Sequence, residues 1–184
     1  MTIYNLDSEP VLTAPDDADI IPIMDMSAKA IKQITLANLK QEIIGGAPVA
    51  LTASTVALDR ATHAGRVCTL NRAAGIDLTL PAATGSGDRY EFVILTDTTD
   101  LYAIVINPTP GTDVIAGHAL ADDGDGEPAN GWSSKTAVAA SFGGASQASG
   151  GSRGDRIVVT DVASGIWQLS AWLTNGGTEA TPFS

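Results

Sequence analysis

One stretch of the chain has the composition of a phosphate cradle. Thr79–Asp88, TLPAATGSGD, runs from an alternating apolar segment through Pro81 into small residues and two glycines, Gly85 and Gly87. Such loops bind phosphate when their backbone N–H groups converge on the anion and a lysine or a helix N-terminus completes the site. Here Gly87 is followed by Asp88, itself an anion, and then by a second strand-like run, RYEFVIL. Neither the GxxxxGK[ST] spacing nor a dinucleotide fingerprint is present. The residues therefore predict a sheet corner, with Gly85 and Gly87 at positive φ and Pro81 ending the strand before it.

Other reactive side chains are sparse. His63 and His118 are the only histidines and Cys68 the only cysteine, and no GxSxG elbow occurs. Two histidines and one thiol fall short of a structural zinc site unless carboxylates fill in. Cys68, inside RVCTLN, reads as a small core residue, and a single thiol makes no intrachain disulfide, so nothing indicates an oxidising compartment. ADDGDGEP brings Asp122, Asp123, Asp125 and Glu127 close together in a way calcium favours. Its spacing is not that of an EF-hand, and acids in a glycine-rich loop are commonly just solvated. Arg153-Gly154-Asp155 is a tripeptide displayed by integrin ligands, and equally a turn leading into DRIVVTD. Paired carboxylates for glycoside hydrolysis meet only in the fold, and this chain is short of the aromatics that line sugar clefts. No catalytic constellation emerges; the expectation is a protein that is not an enzyme, with no cofactor.

These side chains must be held by something, and the composition points to strands. Of 184 residues, 44% are hydrophobic and only 17% charged, the apolar share carried by Ala, Val, Ile and Leu among many Thr, Ser and Gly. That suits short strands and tight turns better than helices, whose wet faces want Glu, Lys, Gln and Arg. From Pro48 onward, candidate strands such as RVCTLN, GIDLTLP, RYEFVILT, DRIVVTD and GIWQLSAWLT alternate with breakers such as NRAAG, NPTPG, DDGDGEPANG and GGASQASGGSRG. About ten short strands imply a β-sandwich or jelly-roll-like domain over residues 48–184, with no repeat at a solenoid period. Most aromatics fall in strands and suit the core or a subunit interface; Trp132, in PANGWSS, is the one whose exposure would mark a contact surface.

Residues 1–47 differ. Their first 25 hold six acids and no Lys or Arg, followed by SAKAIKQITLANLKQEI. DIIPIMDM reads as an edge strand, because Pro22 cannot donate to a ladder. AIKQIT could pair back on it, Thr35 then capping a short helix, LANLKQEI, that ends at Gly45-Gly46. A single helix from Ser27 to Ile44 is the competing reading. Either way the segment is too small to own a core and reads as an N-terminal arm. Ile20, Ile21, Ile23, Ile34, Leu36 and Leu39 in it are the candidate contact residues, being more apolar than a free tail would expose.

The net charge of −11 excludes extended contact with nucleic acid, which needs clustered Lys and Arg. MTIYNLDSEP lacks the features of a signal peptide, and no apolar run approaches the roughly 20 residues that span a bilayer.

Three segments resemble a known class. DDADIIPIMDMSAKAIKQITLANLKQEI is similar to N-terminal segments of small virion proteins of tailed bacteriophages. HAGRVCTLNRAAGIDLTLPAATGSGDRYEFVI and GDRIVVTDVASGIWQLSAWLTNGGTEATPFS resemble β-rich capsid decoration, or cement, proteins. The resemblance covers about two thirds of the chain and rests on strand and turn pattern. It implies a non-enzymatic protein, made in the host cytoplasm and placed on the capsid exterior. There it would bind the major capsid protein, commonly as a homotrimer, and lock neighbouring subunits together against internal DNA pressure. A tail-fibre or head-fibre module that reads a host surface through loops 122–131 and 143–154 is the alternative.

Overall fold

The computed structural model describes residues 18, 20–25, 29–36, 39, 46–99, 101–106, 112–123, 126, 128–144 and 147–184. Strands make up 54% of the described residues and helix 5%, so the fold is mainly β, as its Thr- and Val-rich alternation requires. Two compact units divide at Gly46 and Ala47.

In the first unit, β1 (Ile20–Asp25) and β2 (Ala30–Thr35) form an antiparallel hairpin, with Ile21 opposite Ile34 and Asp25 opposite Ala30. Lys29 reverses the chain at φ 50, in the left-handed region. AIKQIT is thus a strand, and the single helix from Ser27 to Ile44 is not formed. Leu36 and Leu39 have helical backbone, while most of the expected LANLKQEI helix lies outside the described residues.

The second unit contains β3 (Val49–Leu51), β4 (Thr55–Ala57), β5 (Val67–Leu70), β6 (Asp77–Leu80), β7 (Arg89–Ile94) and β8 (Leu101–Ile106). These are followed by β9 (Val114–Asp123), β10 (Asn130–Ala137), β11 (Ala139–Gly143), β12 (Arg156–Ala163) and β13 (Ile166–Asn175). They build a seven-stranded sheet, ordered β10-β9-β13-β12-β7-β5-β3, and a four-stranded sheet, ordered β11-β8-β6-β4.

From β3 to β8 the chain alternates between the two sheets, and each strand pairs in parallel with the one two places later. The result is a flattened β-helical winding. Parallel neighbours need a crossover of a dozen or more residues, and here the crossover is a strand of the opposite sheet. This differs from the all-antiparallel ladder expected of a jelly roll. The winding left no repeat in the sequence because its steps are unequal: Val49 pairs with Cys68, but Cys68 pairs with Phe92.

The later strands close the sandwich. β10 pairs antiparallel with β9, as β12 does with both β13 and β7, while β9 and β13 run parallel. β9 extends to Asp123 and β10 begins at Asn130, so Asp122, Asp123 and Trp132 lie in strands, not in the expected loop. The Asp and Gly residues of these stretches are poor strand formers, and pairing overrides this, β9 with β13 and β10 with β9. The C-terminus protects β11: Val138 N–H and Ala139 N–H donate to the Ser184 carbonyl, and Ser141 N–H to that of Pro182.

Inward positions of both sheets meet in one core. Cys68, Leu70, Leu78, Leu80, Tyr90, Phe92, Ile94, Ile157, Val159, Trp167 and Leu169 are all buried there. Each large apolar side chain so buried contributes about 1.5–3 kcal/mol. Tyr90 and Trp167 pack edge to face with centroids 5.8 Å apart. Gly117 is imposed by geometry, since a Cβ there would lie 1.9 Å from the Leu169 carbonyl oxygen.

Candidate functional site

The glycine-rich loop is an anion nest, and its anion is the protein's own. Gly85 and Gly87 both take φ 78, as the turn reading requires. The backbone N–H groups of Thr84, Gly85 and Ser86 converge on the Asp161 carboxylate at 3.0, 2.7 and 3.0 Å. The hydroxyls of Thr84 and Ser86 donate to it as well, at 3.2 and 2.9 Å. Asp161 is 2% exposed. Its burial opposes the charge, but the N–H groups of Thr84, Ser86 and Gly85 outweigh that and hold its pKa at about 2. Sequence reasoning missed Asp161, whose partners lie some 76 positions earlier in the chain. The residue types for anion binding were legible; the occupant was not.

The Arg153-Gly154-Asp155 turn is structural in the same manner. Asp155 is 2% exposed, and its carboxylate accepts from Gly151 N–H at 2.8 Å, Ser152 N–H at 3.1 Å and Thr174 N–H at 2.8 Å. An integrin ligand must present that carboxylate outward; here it is buried and ties the turn to β13, which is incompatible with an adhesive role. Burial pushes its pKa up to about 6, with the Thr174, Gly151 and Ser152 N–H groups opposing. Gly154, at φ 101, turns the chain into β12 as expected.

The histidines and the cysteine form no catalytic set among the described residues. His63 ends a one-turn helix, Arg60–His63, capped by the Asp59 carboxylate, and its Nδ1 accepts from Asp59 N–H at 3.1 Å. His118 is exposed on β9. Burial raises the Cys68 thiol to about 11, which keeps it protonated and unreactive. Among the described residues no three His, Cys, Asp or Glu side chains are placed to hold a metal ion. Asp125 and Glu127 of the acidic stretch lie outside those residues.

Two surfaces remain as candidate contact sites. The first is the hairpin. Ile20 is 54% exposed and Ile31 73%, on one face; Ile21 is 36% exposed on the other, where Ile34 is half-buried. Leu36 and Leu39 are also half-buried, and the side chain of Ile23 is outside the description.

The second is a cleft of about 430 Å³ on the outer face of the seven-stranded sheet. Leu120 and Trp172, cross-strand neighbours on β9 and β13 and both half-exposed, form its apolar wall. Asp122 and Thr174 extend the same row, and Ala129 and Gly154 bound it from two loops. Arg156, across from Trp172 on β12, lies over the indole with its Cζ 5.7 Å from the ring centroid, on the side away from Leu120. Arg156 is in turn fixed by Glu91 at 2.7 Å, and Glu91 by Arg89 at 2.8 Å. The hydrogen bond from Arg156 lowers the Glu91 pKa despite partial burial. Trp132, singled out for exposure, packs partly against the core, and the half-exposed indole belongs to Trp172. Period-two alternation through GIWQLSAWLT put Trp172 on the face opposite Leu173, but which face met solvent depended on the pairing.

No protein-family model and no curated protein sequence matches the chain.

Proposed function

We propose that this chain is a non-enzymatic structural protein of a tailed-phage virion that binds the outside of the capsid and stabilises it, as a homotrimer. The observation that carries the reading is the N-terminal hairpin, a unit apart from the β domain with apolar residues exposed on both faces. A two-stranded hairpin is marginal alone in water and gains stability when its apolar faces are covered. In this role the hairpin docks on the major capsid protein or an adjacent subunit, and the β domain projects outward. Its acidity, −11 overall, keeps neighbouring copies from adhering nonspecifically. The test is co-sedimentation with capsids lacking the protein: full-length chain pellets with them, whereas residues 47–184 stay in the supernatant while keeping a cooperative unfolding transition. Full-strength pelleting of the truncated chain would refute the reading.

A second reading, a fibre module that recognises a host surface, is favoured by one observation. The cleft beside Trp172 is bordered by Asp122, Ala129 and Gly154, which belong to the stretches 122–131 and 143–154 that such a module would use. Antibody labelling of virions separates the two: label over the whole shell supports decoration, and label confined to the tail tip supports the fibre.

A further inference from the structure

We infer that the cleft between Trp172, Leu120 and Asp122 binds a neutral pyranose ring of a surface glycan. The inference deepens the surface-recognition reading, rests on it for its biological setting, and does not depend on capsid binding.

Three properties of the cleft select this ligand class. Its wall is the half-exposed indole of Trp172 on the side turned toward Leu120, away from Arg156, an apolar surface that matches the C–H face of a pyranose. The platform is preorganised, because the chain Arg89–Glu91–Arg156 fixes the guanidinium that lies against the indole. A ring held in place binds without first losing rotamer freedom. The rim supplies a polar group of the right kind: the exposed Asp122 carboxylate accepts from hydroxyls, next to the loop backbone at Gly154 and Ala129.

Other occupants fit less well. An extended peptide binds by adding a strand to a free sheet edge. Here β9 lies between β10 and β13, and β13 between β9 and β12, so both strands under the cleft are already paired on both sides. A cationic ligand would find the indole already carrying the Arg156 guanidinium, whose charge opposes a second cation against the same ring. An anionic sugar would meet Asp122 on a chain of net charge −11. A ring that is apolar on its face, hydroxylated at its edge and uncharged satisfies all three conditions.

The test is a titration of the full-length, ¹⁵N-labelled chain followed by NMR. The probes are the methyl glycosides of glucose, galactose, mannose and N-acetylglucosamine, with sialic acid and glucosamine as anionic and cationic comparators. At least one neutral glycoside is expected to shift the Trp172 indole N–H and the Leu120, Asp122 and Gly154 amides saturably, at millimolar dissociation constants. Trp172→Ala should abolish those shifts, Trp172→Phe should retain weakened binding, and Asp122→Asn should weaken it about tenfold through loss of a charged acceptor. The Phe variant keeps the outcome readable if the Ala variant folds poorly. Absence of cleft shifts with every neutral probe, unaltered binding by both Trp172 variants, or binding of the charged comparators alone would overturn the inference. A null result here with label at the tail tip would leave surface recognition standing with a different ligand, so the two failures are distinguishable.

Discussion

At Asp161 a carboxylate has been taken out of water and remains charged because five donors from Thr84, Gly85 and Ser86 replace its hydration. Its pKa of about 2 lies below that of an unfolded aspartate, so its contribution is present above about pH 4 and is lost as pH falls toward 2. Asp161→Asn turns one acceptor into a donor facing N–H groups, and we expect a loss of about 2–4 kcal/mol at pH 7 by urea unfolding. Tyr90 presents the opposite case. Its hydroxyl is buried without a partner among the described residues, and burial pushes its pKa up to about 12. Tyr90→Phe removes that unpaired group and keeps the ring against Trp167. The expected change is neutral to stabilising, by up to about 1 kcal/mol, and a loss above about 1 kcal/mol would show that the hydroxyl has a partner after all.

Strands and turns were legible where local chemistry decides them. RVCTLN, GIDLTLP, RYEFVILT and GIWQLSAWLT each became a strand, GIDLTLP and GIWQLSAWLT with the alternation of half-buried strands. AIKQIT formed a strand against a helical alternative because its pairing with IIPIMD was available. What stayed hidden were relations between distant segments. The β-helical winding has no sequence period, Asp161 and its nest are far apart in the chain, and the extension of β9 through ADD comes from pairing with β13. At Gly117 the same long-range pairing makes a prediction: Gly117→Ala forces β9 away from the Leu169 carbonyl and should cost at least about 1–3 kcal/mol, seen as a lowered thermal midpoint. Three edge strands are managed by brevity or cover, β3 and β4 having three residues each and β11 lying under the C-terminal segment.

For the molecule as a whole, the buried Asp155 and Asp161 pull stability in opposite directions with pH. Asp155, with its pKa raised to about 6, gives stability that is fully present below about pH 4 and lost as pH rises through about 6. Asp161 works the other way, below about pH 4. A stability maximum near pH 4–5 is therefore expected, helped by relief of repulsion among the surplus acids. Asp155→Asn should be less stable overall and should flatten the gradient between pH 4 and 6, which chemical denaturation at several pH values would show. This acidic β domain, with an apolar hairpin as a separate unit, is the body of a shell protein in the reading proposed here. One measurement bears on that claim most directly: a cryo-EM map of the virion that carries the chain. The account predicts β-domain density on the outer capsid surface around local three-fold positions, with the Ile20–Thr35 hairpin seated against major capsid subunits. Density only at the tail, or a hairpin facing solvent on every copy, would contradict it.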